Sequence, residues 1–314
     1  MFTLTAFLIQ NKWVGKKSYA TVTGKGDAGV HTELPKSVRW VSLSVASVWA
    51  LFTIVIYVMI LFGGFVQNWG IDNSFTFQHY VDSFGVTFAS HGVDLDGFAW
   101  DSFFDTMVLA MIAAPITAVV GMLIGYLLSR QNFVGKPLFE FGTMLSFAIP
   151  GIVIGVAYVI AFNQPPIELT YTGLIIILSF VFRNMPVGIR ASVAAMAQLD
   201  KNMDEAALTL GANRFTCIRT IIVPLLRPAI IAALIYSFIR AITSISAVIF
   251  LVSAEYNLAT TYIIGMVEGA RYGPAIAYSS VLIVVMLAAI LFIQLVVGKR
   301  KLYRSDASSS ENNA

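Results

Sequence analysis

The chain has 314 residues, 58% of them hydrophobic and only 12% charged, with a mean hydropathy of +0.80. Soluble domains run near 45–50% apolar and about 25% charged, which argues against a water-soluble enzyme and for a chain that uses lipid as part of its solvent. The single Cys217 excludes an intramolecular disulfide and a multi-cysteine metal site, and a net charge of +3 is too small to suggest nucleic acid as a partner.

A helix needs roughly 20 mainly apolar residues to cross about 30 Å of hydrocarbon, and six stretches qualify. Residues 1–39 form a polar N-terminal segment with Lys12, Lys16, Lys17, Lys25, Lys36 and Arg39. The first span is expected at 40–66. It starts too late and is too long for a cleaved signal peptide, and no small-residue cleavage site follows Phe65. The loop 67–101 holds no Lys or Arg but carries Asp72, Asp82, Asp94, Asp96, Asp101, His79 and His91. These types can ligate metals, yet none stand at a metal-site spacing, so a solvated polar loop without metal is the expectation. The second span reads as Phe103–Leu128, followed by Arg130 and Lys136, and the third as Leu138–Phe162. The fourth, Tyr171–Phe182, is short, and its helix must run through Arg183 or start before Tyr171. A long loop with Arg183, Arg190, Lys201, Arg214, Arg219 and Arg227 leads to the fifth span, Pro228–Val252. The sixth, Ala277–Val297, precedes a tail, 298–314, with Lys299, Arg300, Lys301 and Arg304.

With the N-terminus in the cytoplasm, these basic segments share one side and hold 18 of the 20 basic residues. Arg271 faces the other side, and Arg240 lies within a span. Cytoplasmic segments carry such an excess of Lys and Arg. The expected fold is therefore an all-α membrane protein with six transmembrane helices and both termini cytoplasmic. Arg240, Thr243 and Ser244 share one helical face at i, i+3 and i+4. An ionisable residue within a membrane is costly and faces a partner or an aqueous path. Two readings stand side by side: a polar stripe lining a translocation path, or a structural clamp in which Arg240 snorkels or pairs with Glu140. Pro150-Gly151 and Pro186 predict kinks that are architectural rather than hinges. The GxxxG pairs Gly121/Gly125 and Gly151/Gly155 predict close helix contacts within one subunit.

The inner loop is locally the most informative segment. Asp200 and Asp204 favour a helix start, Glu205–Leu210 are mostly good helix formers, and Gly211 stands where a left-handed cap would end the helix. A second helix is expected from about Ala212–Asn213, with Phe215, Ile218 and Ile222 on one apolar face, bent or ended by Pro224 and Pro228. The product is a helix–glycine–helix hairpin with small residues, Ala206, Ala207 and Ala212, at its tip. Such a hairpin suits docking into a groove of a soluble partner; an amphipathic linker lying at the membrane surface fits the pattern equally.

Glu205-Ala206-Ala207, three residues, Gly211, nine residues and Ile221-Ile222-Val223-Pro224 resembles the EAA motif of binding-protein-dependent ABC importer permeases. Six of its seven positions match, with Val223 where the family has leucine. The resemblance implies a type I permease core at about 102–297 and a coupling loop at 200–228 seated in a cleft of an ATP-hydrolysing subunit. Asp204, Glu205, Ala206, Ala207, Gly211, Ile221 and Pro224 would form the docking element. It further implies ABC ATPase subunits that use ATP and Mg, a second permease half (identical or homologous), a periplasmic solute-binding protein and a bacterial inner-membrane location among lipid. The stretch 239–287 resembles the ferric-iron branch of these permeases. So does 15–26, GKKSYATVTGKG, which is similar to the linker before the second repeat of its fused, double-length members. Ferric iron is the implied solute, with phosphonate, thiamine or polyamine as alternatives, and the chain would correspond to one half of such a permease.

The chain has no GxxxxGK[ST], HExxH or GxSxG motif. No catalytic residue and no cofactor bound by this chain are therefore expected, and energy must come from another polypeptide or an ion gradient. A self-contained ion-coupled secondary transporter is the alternative of another class. It needs intramembrane carboxylates, and its candidates, Asp105 and Glu140, lie at span edges.

Overall fold

The computed structural model describes residues 35–89, 92–94, 97–200 and 202–310. Residues 1–34, including the 15–26 stretch and Lys12, Lys16, Lys17 and Lys25, lie outside the described residues, as do His91, Asp96, Lys201 and 311–314. The chain forms two compact units, Met1–Phe62 and Gly63–Ala314. All but the last residue of helix α1 (Lys36–Gly63) belongs to the first, and its 28 residues span about 42 Å, enough to cross a bilayer. It ends before the expected Val66, because Gly63-Gly64 breaks the apolar run and Val66 enters a strand.

In the second unit, β1 (Val66–Asn68) pairs with β2 (Asp72–Phe75), α2 (Gln78–Phe84) follows, and β3 (Thr87–Ala89) pairs with β4 (Gly92–Asp94). The long helix α3 (Gly97–Arg130) is followed by α4 (Lys136–Ala148), α5 (Gly151–Phe162) and a two-residue ribbon of β5 (Asn163–Gln164) with β6 (Ile167–Glu168). Next come α6 (Gly173–Ala197), α7 (Asn202–Thr209), α8 (Arg214–Cys217), a π turn at Ile218–Ile222 and α9 (Val223–Ile242). A 3₁₀ turn at Val248–Phe250, α10 (Ala259–Glu268) and α11 (Tyr272–Ser310) complete the unit.

Helices α3, α6 and α9 form the centre. The α3 face is lined by Ala110, Ala113, Ala114, Ala118, Gly121 and Gly125, all buried, and small side chains let backbones approach in lipid. A Cβ on Gly121 would stand 3.0 Å from the Gly188 backbone, so the first GxxxG packs inside the chain. The second does too: a side chain on Gly155 would collide with the Ala247 carbonyl rather than with another helix.

Contact order along α3 and α6 fixes their direction. Gly173 lies against Leu109, Gly188 against Gly121, Ser192 against Gly125, and Arg130 Nη2 donates to the Leu199 carbonyl at 3.2 Å. The two helices are therefore parallel, and residues 131–172 must return along the bundle between them. That return is the expected third span, and the kink expected at Pro150-Gly151 is sharp enough to divide it: α4 and α5 meet at 109°. Pro150 has no N–H and forces the residue before it out of the helical region; Ile149 accordingly sits at φ −93°, ψ 130°. Counting this pair as one broken span, six segments are long and apolar enough to cross a membrane.

Two more boundaries depart from expectation. The fourth span takes the first of its two readings and runs through Arg183, but it continues through Pro186 to Ala197, so Arg190 also lies inside α6 and not in a loop. The fifth stops at Ile242 instead of Val252, and its helix begins far upstream of Pro228. Neither Pro224 nor Pro228 ends it, because the wider π turn, closed by a Val223 N–H to Ile218 carbonyl bond, precedes Pro224 and eases its missing donor into a first turn.

At the end where α3 begins, here called upper, hydroxyls hold the elements together. Tyr278, fully buried, donates to the Ala99 carbonyl at 3.0 Å and lies 3.0 Å from Ser102 Oγ. Thr106 Oγ1 donates to the Ser102 carbonyl and accepts the Ala259 N–H, each at 2.7 Å, so a side chain of α3 caps the start of α10. Thr106→Val keeps the shape but orphans a buried N–H, and we expect a loss of about 1–3 kcal/mol, read as a lower unfolding temperature in detergent than for Thr117→Val. Thr117 Oγ1 only donates to its own helix.

Candidate functional site

The segment 200–228 forms a hairpin at the lower end of the bundle. Helix α7 stops because Gly211 takes φ +86°, a left-handed value that glycine adopts without cost. The Ala212 N–H reaches back to the Ala207 carbonyl at 3.1 Å, the long bond of a Schellman cap. The chain restarts at once, since Asn213 Oδ1 accepts the Thr216 N–H at 2.7 Å and caps α8. Two strong local signals two residues apart therefore fix a tight turn between helices.

One side of the hairpin is sealed onto the bundle. Ala207, Cys217, Ile222 and Leu226 are buried with Met122 of α3 and Met196 of α6. Cys217 and Ile222 are five residues apart, which the π turn brings onto one face. This extra residue rotates Phe215 off the face expected for it: Phe215 is 70% exposed, and Cys217 takes its place. Ile221 is half-buried against the same cluster, and Pro224 is exposed.

The other side is bare. Met203, Ala206 and Leu210 follow a 3, 4 spacing and all face outward, Leu210 at 88% exposure. Of the two motif alanines, only Ala206 is outward; Ala207 lets the hairpin press onto its own bundle. The side chains of Asp204 and Glu205 lie outside the described residues. Met203, Leu210 and Phe215 are the residues that motif reading passed over, although the 203/206/210 spacing was available to find the first two.

The residues expected to line a path do not form one helical stripe. Arg240 lies in the last turn of α9 and is exposed, whereas Thr243 follows the helix end and its hydroxyl donates to the Ile239 carbonyl at 2.9 Å. Ser244 lies beyond, its carbonyl accepting the Thr260 hydroxyl at 2.9 Å. No ion pair joins Arg240 to Glu140 among the described residues. Asp105 Oδ2 is buried near the upper end without a hydrogen-bond partner.

In the upper loop, His79 Nε2 lies 3.1 Å from the carbonyls of both Val66 and Gln67, and Asp82 accepts from Gln78 Nε2 at 2.9 Å. Asp72 accepts the Ser74 N–H, which with the Ser74 hydroxyl holds its carboxyl below the usual carboxylate range. His91 and Asp96 lie outside the described residues.

Residues 118–301 match the family described as binding-protein-dependent transport system inner membrane component. The chain is similar, at 44% identity over 311 residues, to a ferric transport system permease protein of Actinobacillus pleuropneumoniae, covering 99% of this chain and 44% of that one. A putative ferric transport system permease protein of Haemophilus influenzae is 42% identical over 83% of this chain and 40% of its own length. The chain thus spans less than half the length of these relatives. The crystal structure of a bacterial ABC transporter involved in alginate import contains a chain of similar fold, with a TM-score of 0.66 at 18% identity, covering 83% of this chain and 95% of that one.

Proposed function

The chain belongs to the family of inner membrane components of binding-protein-dependent transport systems, and we propose that it is the permease subunit of an ATP-driven importer of ferric iron. The observation that carries this is the hairpin of α7 and α8, a rigid element sealed on one side and apolar and bare on the other, at the position of the EAA motif. Such a face suits a groove on an ATPase subunit. Asp204, Glu205, Ala206, Ala207, Gly211, Ile221 and Pro224 make up the docking loop, with Met203, Leu210 and Phe215 as its apolar contacts. The lower end of the bundle and both termini face the cytoplasm. Residues 102–297 form the permease core, 67–101 lie in the periplasm, and 1–39 and 298–314 are cytoplasmic.

A second permease half, identical or homologous, encloses the path with this one, and a periplasmic solute-binding protein delivers the solute from above. ATP and Mg act in the ATPase; this chain makes and breaks no bonds. Closure of two ATPases draws the hairpins together and rocks the two bundles between inward-open and outward-open states. Ferric iron as the solute is supported by the two ferric permease relatives at 44% and 42% identity.

The docking claim is tested by Glu205→Lys. The variant is expected to insert normally but to lose co-purification with the ATPase and to lose uptake of radiolabelled iron. Assembly and uptake at wild-type level in that variant would refute it.

A further inference from the structure

The hairpin of β1 and β2 is built against the usual pattern for a loop in water. Its ladder joins Val66 to Phe75 and Asn68 to Asp72, which leaves Trp69, Gly70 and Ile71 at the tip, with Gly70 at φ +79°. Hairpin tips in water favour Asn, Asp and Gly. Here the glycine is flanked by a half-exposed Trp69 and by Ile71 at 88% exposure. Phe75 and Phe77 add two more bare rings. They meet edge-on with centroids 4.9 Å apart, and Phe65 backs both at 5.4 Å, stacked on Phe75 and edge-on to Phe77. Large apolar side chains therefore stand open at positions 69, 71, 75 and 77, the last two steadied by a small ring cluster.

The neighbours of this hairpin fix its depth. Between Arg271 and Lys299 the chain carries no charged residue, and α11 runs through all of that stretch. As helix, the uncharged run 272–298 measures about 40 Å, close to the thickness of a bilayer with its headgroup layers, about 40–45 Å. Arg271 and Lys299 thus fall in the two headgroup layers, and the hydrocarbon, about 30 Å thick, begins roughly 5 Å inside Arg271, near Ile276. The hairpin meets α11 at that level. A Cβ on Gly63 would stand 3.0 Å from both Ile276 Cγ2 and Trp69 Nε1, and one on Gly64 would stand 2.9 Å from Ala277 Cα. Tyr80 of α2 reaches deeper, its hydroxyl 3.0 Å from Ser280 Oγ. The tip is therefore folded back to the boundary between headgroups and hydrocarbon, not raised above it.

We propose that Trp69, Ile71, Phe75 and Phe77 anchor the upper loop in the lipid interface of the leaflet at that end. An indole suits this layer, with an apolar body and a polar N–H. The loop 67–101 has no Lys or Arg, so nothing in it attracts anionic headgroups, and the anchor works by apolar burial, indifferent to ionic strength. Asp72 limits the depth: it is exposed and accepts the Ser74 N–H at 3.0 Å, and its charge stays on the water side. Helix α2 ties the anchor to the bundle, since the Tyr262 hydroxyl of α10 donates to the Ser83 carbonyl at 3.1 Å and Arg271 Nη2 to the Asp82 carbonyl at 3.4 Å. The proposal rests on the membrane location of the family and on neither the solute nor the ATPase.

The test uses the full chain in vesicles of phosphatidylcholine and phosphatidylglycerol, with Cys217→Ala as background and a nitroxide on Ile71→Cys, Phe75→Cys, Phe77→Cys or Asn73→Cys. Collisions with oxygen, which concentrates in lipid, are compared with collisions with a nickel chelate confined to water. The ratio of oxygen to nickel collisions is expected to be severalfold higher at 71, 75 and 77 than at 73, and the same in low and high salt. A ratio at those three sites no higher than at 73 places the face in water and overturns the anchor, as does a nickel access that a solute-binding protein then blocks. Exclusion of both reagents means that protein covers the face, whether a second permease half or another chain, and overturns it too. Wild type gives a second reading without cysteines. The fluorescence lost in Trp69→Phe isolates Trp69, and lipid brominated high on its acyl chains should quench that part severalfold more than lipid brominated near the chain ends. No quenching by either lipid refutes the anchor. Iron and ATP enter neither measurement, so failure here leaves the transport reading untouched.

Discussion

Replacing Leu210 and Phe215 together by aspartate will uncouple this permease from the ATPase subunit proposed to dock on it, with at least a hundredfold loss of association and no loss of the folded bundle. Both side chains stand clear of their own chain, at 88% and 70% exposure, so removing them leaves no cavity. Burying such a side chain against a partner contributes about 1.5–3 kcal/mol. Two of them account for roughly 3–6 kcal/mol, and each 1.4 kcal/mol or so is tenfold in affinity. Aspartate adds the penalty of desolvating a charge, which deepens the loss. ATPase co-purification and substrate-stimulated ATP turnover should both disappear, while the unfolding temperature of the permease alone stays within about a degree or two, as for ordinary surface substitutions. The control is Ala207→Asp, which places a charge in the sealed cluster with Met196 and Leu226 and should lower the unfolding temperature itself. If the double variant still couples, the bare face is not the docking face.

How much of this was legible depended on whether the signal was local. The hairpin could be read because its turn is written in two residues, Gly211 and Asn213, each of which acts through its own backbone or side chain. The long helices could be read because twenty apolar residues leave few alternatives. Hydropathy was blind wherever backbone geometry decided the outcome. Ile149 and Pro150 are as apolar as their neighbours, yet the missing N–H at Pro150 divides the third span at 109°. The short fourth span could be read as running through Arg183, but its far end could not, because nothing local stops it; α6 continues to Ala197. Phe215 fitted a 3, 4 pattern, but the π turn that follows inserts one residue and hands its position to Cys217. The single helical face expected for Arg240, Thr243 and Ser244 was lost for the opposite reason. Apolar side chains continue past Ile242 to Val252, and the helix does not.

These departures share a location. The broken third span and the early end of α9 meet beside Arg183, around Gly151 and Ser246, where regular helix is given up at two places inside a membrane. Irregular backbone at that depth persists only where protein or water satisfies it. A packing-only bundle has no need of it. The seam between α3 and α6 is the contrast: regular helix throughout, small residues facing small residues, and no polar purpose.

That seam sets the second large effect. Gly125→Ala should destabilise the bundle by about 1–3 kcal/mol or more, as overpacking does in tightly packed cores, because its new Cβ would stand 2.5 Å from Ser192 Cβ. Real carbon atoms do not approach so closely, and neither atom can rotate away, being the first of its side chain. The helices must separate, and with them the contacts of Ala113, Ala118 and Met122. The effect should be specific to one pair of atoms. The next neighbours of that Cβ, the Ile189 carbonyl at 3.3 Å and the Val193 nitrogen at 3.4 Å, need give only a few tenths of an ångström. Ser192→Gly deletes the obstructing atom, so Gly125→Ala combined with Ser192→Gly should recover most of the loss, a coupling well beyond the few tenths of a kcal/mol seen for independent sites. Gly142→Ala and Gly265→Ala, which meet nothing within 4 Å, should raise stability slightly, since alanine favours helix over glycine by about 1 kcal/mol. Thermal unfolding of the four single variants and the double in one detergent decides the matter. Additive losses in the double variant would mean that the seam is not the tight contact described, and that α3 and α6 can slide apart at little cost.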